Sequence, residues 1–392
     1  MKSITKTFLE KTFPLDSVKF AFSISHIDRY KMHFSNKFKN PYEEDLVISV
    51  TDVKKFHQEN FQMNKKHYPA TSKFFKAKLV TYFQYYGAKV HFNYIPYINE
   101  DTQVTNYIRY MIIEHSDLVR DLNYWETFSV SNIMHRPINV VYNDEWFLRD
   151  QEIQEALLNN RKSGLSMAIL TSRISSYPEK NLYSNILNLT KYQSKGLKLI
   201  DYEDTDLVVE KQFDKFSEIY RPILELQEPF KSEVQLIGDK FKHNKQLIIN
   251  SNQSKESQIK YLIGVNDNVF KNFEQLSVKT YDTEKKYSKR VFTDQEKLER
   301  AQEIIEDHPN KKDLNKELTK CLDKIMIANR NTKLFFILMS GPFLVGLMLF
   351  KYAMKIFILY LLYKKGKGGE KEKVSENKSE KSLEPIPKPA LI

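Results

Sequence analysis

The residues that could carry out chemistry are few and widely separated in this sequence. Its 9 histidines never stand three or four positions apart, the spacing that would place two metal ligands on one face of a helix. The closest group of ligand types is Glu114, His115 and Asp117, which suits a metal or acid–base site but equally suits a solvated or packed element. We predict no metal site, and these three residues are the first to test should the protein be an enzyme.

Patterns that serve nucleotide and acyl chemistry are missing as well. Loops that cradle phosphate groups need glycine, because backbone N–H groups must approach the anion closely. The chain has only 10 glycines, and no GxGxxG, GxxxxGK[ST] or GxSxG pattern occurs. Its single cysteine, Cys321, lies on an apolar stripe, which is typical of packing. We therefore predict no catalytic residues, no small-molecule substrate and no cofactor, with room for a bound phospholipid.

An aromatic stretch between residues 74 and 97 admits three interpretations. Its aromatic residues are Phe74, Phe75, Tyr82, Phe83, Tyr85, Tyr86, Phe92, Tyr94 and Tyr97, and lysines are interleaved. Stacking plus positive charge could bind single-stranded nucleic acid, whereas tyrosine and lysine together also suit a membrane interface or a subunit contact. We favour a third interpretation, in which these residues form the core side of a helix and their high number reflects an AT-rich genome. We therefore predict no nucleic-acid partner.

Helix signals dominate the elements that would position these residues. A run from Thr71 ends at Gly87, and Asp204 to Gln227 is a helical run with a kink or break expected at Pro222. Thr293 with Glu296 forms a capping box. Extended signals are confined to short segments such as residues 88–97 and 137–142. The fold class predicted is mainly α, a helical body with few short strands.

The C-terminal part predicts a stalk helix that runs into a membrane span. No Gly or Pro occurs from Lys311 to Met339, and apolar residues recur every three or four positions. The members of this stripe are Leu314, Leu318, Leu322, Ile325 and Ala328. A 17-residue uncharged run follows at residues 334–350, close to the shortest length that crosses a hydrocarbon core. We expect one C-terminal transmembrane helix, continuous with the stalk that docks on the body.

Two sets of residues would serve that anchor. Small residues and a proline within the span would pack against other transmembrane helices, namely Ser340, Gly341, Pro342 and Gly346. Lysines around the span would contact lipid head groups, namely Lys333, Lys351, Lys355, Lys364 and Lys365.

The net charge of +11 is concentrated at the two ends of the chain. Residues 1–97 carry 16 basic and 8 acidic residues, and residues 334–392 carry 10 basic and 5 acidic ones. We divide the chain into a basic aromatic-rich region (1–97), a mostly helical body (98–290), a helical stalk (291–333), a transmembrane helix with an interfacial extension (334–363) and a disordered charged tail (364–392). Membrane lipid is the predicted partner of the basic residues in the C-terminal region (334–392).

In overall character the chain resembles lineage-specific accessory subunits of mitochondrial inner-membrane complexes in AT-rich protists, ciliates above all. The resemblance rests on 23 tyrosines and 26 phenylalanines beside 10 glycines, and on the single C-terminal span. It implies a non-catalytic, single-pass subunit of a respiratory-chain complex or supercomplex in the inner membrane, joining other membrane subunits. The alternatives are an accessory subunit of ATP synthase, a membrane-anchored tether or trafficking protein, and an enzyme using His115.

Overall fold

The structure is a computed structural model that describes eight stretches of the chain. They are residues 5–25, 44–68, 72–86, 89–98, 105–189, 204–238, 247–277 and 292–339. The chain divides into two compact units, Met1–Phe336 and Ile337–Ile392, and the described residues lie almost entirely in the first.

A five-stranded sheet with the strand order β3-β4-β2-β1-β5 forms the first part of this unit. Its strands are β1 (Val18–Ser25), β2 (Glu44–Val50), β3 (Val90–Ile98), β4 (Thr105–Glu114) and β5 (Asn139–Tyr142). β2 and β4 are parallel, whereas the other neighbouring pairs are antiparallel. The central strands β2 and β4 therefore end at the same edge of the sheet, and the chain leaves β4 directly into a helix.

Helices cover both faces of this sheet. The helices of this part are α1 (Lys6–Thr12), α2 (Val53–Met63), α3 (Ser72–Tyr86), α4 (His115–Tyr124), α5 (Asp144–Arg149) and α6 (Gln151–Thr171). Alternate residues of β1 serve the two sides: Ala21 packs in the cluster that holds α1 and α2, while Phe20 and Phe22 pack in the cluster that holds α4, α5 and α6. This is the period of two that a strand imposes on its side chains. α3 packs against α2 and β3.

A second group of elements shares one large apolar core. It comprises β6 (Ser176–Pro178), α7 (Glu179–Asn188), α8 (Thr205–Lys211), α9 (Phe213–Leu226), α10 (Phe230–Glu233), β7 (Val234–Ile237), β8 (Ile248–Ser251), α11 (Lys255–Ile263), α12 (Asp267–Ser277), α13 (Asp294–Asp307) and α14 (Lys311–Met339). β6, β8 and β7 form a three-stranded sheet. The long helix α6 contributes its second half to the same core.

Several predicted elements are confirmed. α3 covers the predicted run, and Thr293 and Glu296 form the complete capping box of α13. α14 is one helix, and four members of its predicted stripe, Leu314, Leu318, Leu322 and Ile325, lie in the large core together with Cys321. Burial also raises the pKa of the Cys321 thiol to about 12, so this cysteine serves packing as predicted.

Two details of the prediction differ from the structure. The run from Asp204 breaks at Gln212, whose non-helical backbone separates α8 from α9, whereas α9 continues through Pro222, where a kink or break was expected. The described residues are mainly helical, with 63% helix and 17% strand, but β1, β2, β3 and β4 are longer than the few short strands predicted. β2 and β4 are covered on both faces, so their apolar runs lack the alternation that identifies a half-buried strand.

Within the described ranges, no helix combines the length and the apolar character needed to cross a membrane. Only residues 334–339 of the predicted span fall in α14, and the remainder lies outside the described residues. The same holds for eight predicted anchor and head-group residues: Ser340, Gly341, Pro342, Gly346, Lys351, Lys355, Lys364 and Lys365. Lys333 belongs to α14, and the single-pass anchor and the five regional boundaries stay predictions.

Candidate functional site

A group of charged side chains from three elements meets at the edge of the sheet where β2 and β4 end. His115 is the first residue of α4 and directly follows β4, while Asp150 is the N-cap residue of α6. Lys19 reaches them from β1, and Glu152 lies in the first turn of α6. We call Lys19, His115, Asp150 and Glu152 the His115 cluster.

The distances within the His115 cluster are those of direct contacts. Lys19 Nζ lies 2.5 Å from Asp150 Oδ2 and 2.7 Å from His115 Nε2. His115 Nε2 is 3.4 Å from Asp150 Oδ2 and 4.0 Å from Glu152 Oε2. The side chains of His115 and Asp150 are 13% and 12% exposed, whereas that of Glu152 is 68% exposed. The cluster is therefore half-buried, with one carboxylate open to solvent.

The contacts of His115 define its protonation state. An ammonium group can only donate, so His115 Nε2 accepts from Lys19 and the ring proton is on Nδ1, which faces Ser49 Oγ at 3.4 Å. Burial lowers the pKa of His115, and the Lys19 charge lowers it further, against the opposite effects of Asp150 and Glu152. His115 is thus a neutral imidazole at neutral pH, held in one tautomer.

Asp150 keeps its charge in the same surroundings. Burial pushes the pKa of its carboxyl upward, but hydrogen bonds from Lys19 and from the Ile153 backbone N–H bring the pKa below its ordinary value. With Lys19 positive, Asp150 and Glu152 negative and His115 neutral, the cluster carries one net negative charge. Such a group attracts a cation rather than an anion.

His115, Asp150 and Glu152 also form a set that could bind a metal ion, because one ligand atom from each lies within 4.8 Å of the others. A histidine with two carboxylates suits zinc or manganese. Lys19 Nζ already contacts two of the three ligand atoms, so the ammonium stands where a cation would bind. The set fits a divalent cation if the Lys19 side chain turns away, because the cation then replaces the positive charge of the ammonium group.

Another ion pair joins the neighbouring strands β2 and β4 near the end of β2 that lies away from the His115 cluster. Asp45 on β2 and Arg109 on β4 are neighbours in the parallel register, and Arg109 contacts both carboxylate oxygens, with Nε at 2.6 Å from Oδ1. The Asp45 side chain is fully buried. A bidentate pair of this kind satisfies both partners, so we assign it a structural role.

A buried polar network lies between α2, α3 and the sheet. Gln84 donates to the carbonyls of Lys89 and Ile112, which turns its Oε1 toward His57 Nε2 at 2.8 Å. His57 Nε2 therefore donates, and Nδ1 accepts from Tyr68 Oη at 3.0 Å. Burial lowers the pKa of His57 to about 4, although the bond to Gln84 opposes this. This neutral histidine holds the helix layer on the sheet.

Of the three residues singled out in the sequence, only His115 belongs to the His115 cluster. Glu114 instead accepts from Tyr85 Oη at 3.0 Å, and Asp117 faces Lys89 at 3.9 Å. The sequence analysis missed Lys19, Asp150 and Glu152. Lys19 and His115 are 96 positions apart, and no spacing rule links residues that only the strand order brings together. Asp150 carried one usable signal, as a helix N-cap.

Among the known proteins that this chain resembles are three, from different organisms, each named "Phosphatidate cytidylyltransferase, mitochondrial". The protein of Saccharomyces cerevisiae is 27% identical over 181 residues, which cover 46% of this chain and 45% of the relative. That of Danio rerio is 29% identical over 185 residues, covering 46% and 51%. That of Dictyostelium discoideum is 30% identical over 187 residues, covering 46% and 41%. The chain thus spans about half the length of the curated relatives it matches.

A sequence model of the same description matches residues 11–346, most of the chain. This finding contradicts the predicted resemblance to respiratory-chain accessory subunits, and with it the non-catalytic role, the ATP synthase and tether alternatives, and the absence of a small-molecule substrate. Those predictions failed because composition and a membrane-like run describe a chain's surroundings, whereas chemistry depends on residues joined by the fold. The chain belongs to the family of mitochondrial phosphatidate cytidylyltransferases.

Proposed function

We propose that this protein transfers a cytidylyl group from CTP to phosphatidate, forming CDP-diacylglycerol. The observation that carries the proposal is the family match over residues 11–346. The relatives named above support it, since each bears the name of this activity. Membrane lipid, a partner predicted from the sequence, is then the acceptor substrate as well.

The reaction sets requirements that the protein must meet. A phosphate oxygen of phosphatidate attacks the α-phosphorus of CTP, the bond between the α-phosphorus and the bridging oxygen breaks, and diphosphate leaves. The attacking phosphate is already anionic, so the step needs little help from a base. Catalysis of such transfers is mostly positioning and charge stabilisation. The central difficulty is bringing a triphosphate and an anionic lipid phosphate together.

The His115 cluster supports the proposal as the place where a cation-bound triphosphate is held. His115, Asp150 and Glu152 would hold the cation, which neutralises phosphate charge when bound. The net negative charge of the cluster favours that cation, and Lys19, once displaced from Asp150, would offer a positive group to phosphate oxygens. The positive N-terminal ends of α4 and α6 lie at the same place and favour anions.

The test is a transfer assay with CTP labelled at either end of its triphosphate. The purified full chain is mixed with vesicles that contain phosphatidate and with a divalent cation. Label at the α-phosphorus is expected in the lipid phase, and label at the γ-phosphorus is expected to stay in water as diphosphate. Absence of α-label from the lipid, under conditions in which the yeast relative transfers it, would reject the proposal.

We further propose that the protein acts in mitochondria, in agreement with the names of its relatives, and that the run at residues 334–350 holds it in the inner membrane as a single-pass protein. The uncharged character of that run supports this finer statement. Extraction of purified mitochondria with alkaline carbonate tests it, because an integral protein stays in the pellet. Release of the full chain into the supernatant would leave only peripheral attachment.

A further inference from the structure

The outer side of the α2–α3 layer exposes a group of three tyrosines. Tyr82, Tyr85 and Tyr86 are 58%, 41% and 79% exposed, although most large aromatic side chains of a folded protein are largely buried. The rings of Tyr82 and Tyr86 lie 4.6 Å apart, one helical turn from each other. Exposed aromatic rings that contact each other on one helix face are typical of an interaction surface.

The opposite side of α3 accounts for the packing of this helix. Ala77, Val80, Thr81 and Gln84 are buried, and Gln84 is tied into the His57 network. The helix thus packs inward through these residues, and its three exposed tyrosines lie on the opposite, solvent-facing side. The interpretation of the aromatic stretch as pure core therefore holds for only one side of α3.

The charge of this layer is strongly positive. Residues 52–86 contain seven lysines against two acidic residues, a net charge of +5 within a protein of +11. Five of these lysines are exposed: Lys54, Lys55, Lys65, Lys66 and Lys78. α2 packs against α3, and Lys54 and Lys55 lie in the first turn of α2, directly after its N-cap residue Asp52.

Acidic groups limit the surface on one side. Tyr85 donates to Glu114, and Lys89 faces Asp117 while lying over the Tyr85 ring. These pairs neutralise each other at the border with the sheet. The part that combines aromatic rings with an excess of positive charge is the side of Tyr82 and Tyr86, together with Lys54, Lys55 and Lys78, although Lys55 also lies 3.8 Å from Glu59.

We propose that this tyrosine–lysine face (Tyr82, Tyr86, Lys54, Lys55 and Lys78) docks on the surface of an anionic phospholipid bilayer. Tyrosine is at home at the depth of the head groups, where its ring is shielded and its hydroxyl stays wet. Lysines at the same level are attracted by anionic lipid. The inference rests on the proposed function in one respect, because phosphatidate is an anionic lipid that must be reached at the bilayer surface.

The test places a fluorescent reporter in the face. The chain has two tryptophans: Trp125 is fully buried, and Trp146 on α5 is 68% exposed but belongs to the other side of the sheet. The variant Tyr86→Trp, Trp146→Phe therefore reports on the face, and the unaltered protein reports on α5 as a matched control. Each is mixed with vesicles of phosphatidylcholine and phosphatidate whose acyl chains are brominated near the head groups.

The face is expected to enter the range of the bromine quencher. Fluorescence of the reporter at position 86 should fall by about twofold or more at the shallow depth of an interfacial contact, while that of Trp146 in the unaltered protein changes little. Lys54→Glu with Lys78→Glu should abolish most of the quenching. Equal quenching at both positions, or none at position 86, would overturn the proposal, as would quenching by a single-stranded oligonucleotide in place of vesicles.

The result separates this inference from the proposed function. Cytidylyl transfer to a short-chain, soluble phosphatidate does not need a bilayer, so it measures the activity alone. Quenching at position 86 without any transfer would leave the docking face standing and remove the proposed activity. Transfer to the soluble substrate without quenching would do the reverse.

Discussion

Lys19 determines what the His115 cluster can bind. Its ammonium group contacts Asp150 and His115 at distances of 2.5 and 2.7 Å, so it neutralises one carboxylate and fixes the tautomer of the imidazole. A cation must displace this group before it reaches three ligands. The chemistry of the cluster is therefore an exchange between a resident lysine and an incoming cation.

Removing Lys19 should make the metal-binding set available without that exchange. For Lys19→Met we expect affinity for Mn²⁺ to rise by about tenfold or more, since an interaction with a charged group is worth about 1.5 kcal/mol or more. Titration calorimetry measures the affinity, and the double variant Lys19→Met, His115→Ala is the control that should lose the gain. Unchanged affinity in Lys19→Met would show that the ammonium does not compete with a cation.

Glu152 offers a paired test of the site in the reaction. Glu152 and Glu155 are both exposed on α6, three residues apart, and only Glu152 belongs to the cluster. Glu152→Gln should raise the Mg²⁺ concentration needed for half-maximal transfer by about threefold or more, because one carboxylate ligand is lost. Glu155→Gln should leave the titration unchanged. Identical titrations for both variants would place the cation elsewhere.

His57 should make stability depend on pH. Its pKa is about 4 in the folded protein and about 6.5 when unfolded, so the unfolded chain binds the proton more readily between these values. The contribution of His57 to stability is therefore complete above pH 6.5 and is lost as the pH falls toward 4, by about 2 kcal/mol at pH 5. Urea unfolding at pH 7.5 and pH 5 measures the loss. His57→Gln should show a smaller pH difference, and an equal one would contradict the assignment.

Among the elements, α14 should contribute to the core through its buried stripe. Leu318 is completely buried in the large core, so Leu318→Ala should lower the free energy of unfolding by about 2–5 kcal/mol. Lys316→Ala, on the exposed side of the same helix, should change it by less than about 0.5 kcal/mol. Urea denaturation gives both values. A loss below 1 kcal/mol for Leu318→Ala would mean that the helix does not belong to the core.

Elements with local signals could be predicted, and those set by long-range pairing could not. The capping box of Thr293 and the stripe of α14 are readable because capping and helical spacing involve residues three or four positions apart. The parallel pairing of β2 with β4 joins Asp45 to Arg109 across 64 positions, and nothing in either segment announces its partner. The His115 cluster depends on that strand order, so the candidate site was accessible only through His115 itself.

At the scale of the whole molecule, the distribution of charge takes on a different meaning. The basic N-terminal region is predicted from counts alone, and the structure divides it into a buried sheet and an outer α2–α3 layer that carries most of the excess. We propose that this layer meets an anionic lipid surface and that the His115 cluster holds a cation-bound nucleotide. The family match supports the second proposal, and an anionic lipid substrate would give the first its purpose.

The most direct measurement of the central claim is ³¹P NMR of a complete reaction. The full chain, CTP, Mg²⁺ and detergent-dispersed phosphatidate are followed until no further change occurs. We predict that the phosphomonoester signal of phosphatidate is replaced by the two coupled signals of CDP-diacylglycerol, with one equivalent of diphosphate. Unchanged CTP and phosphatidate signals, in a mixture that the yeast relative converts completely, would contradict the account.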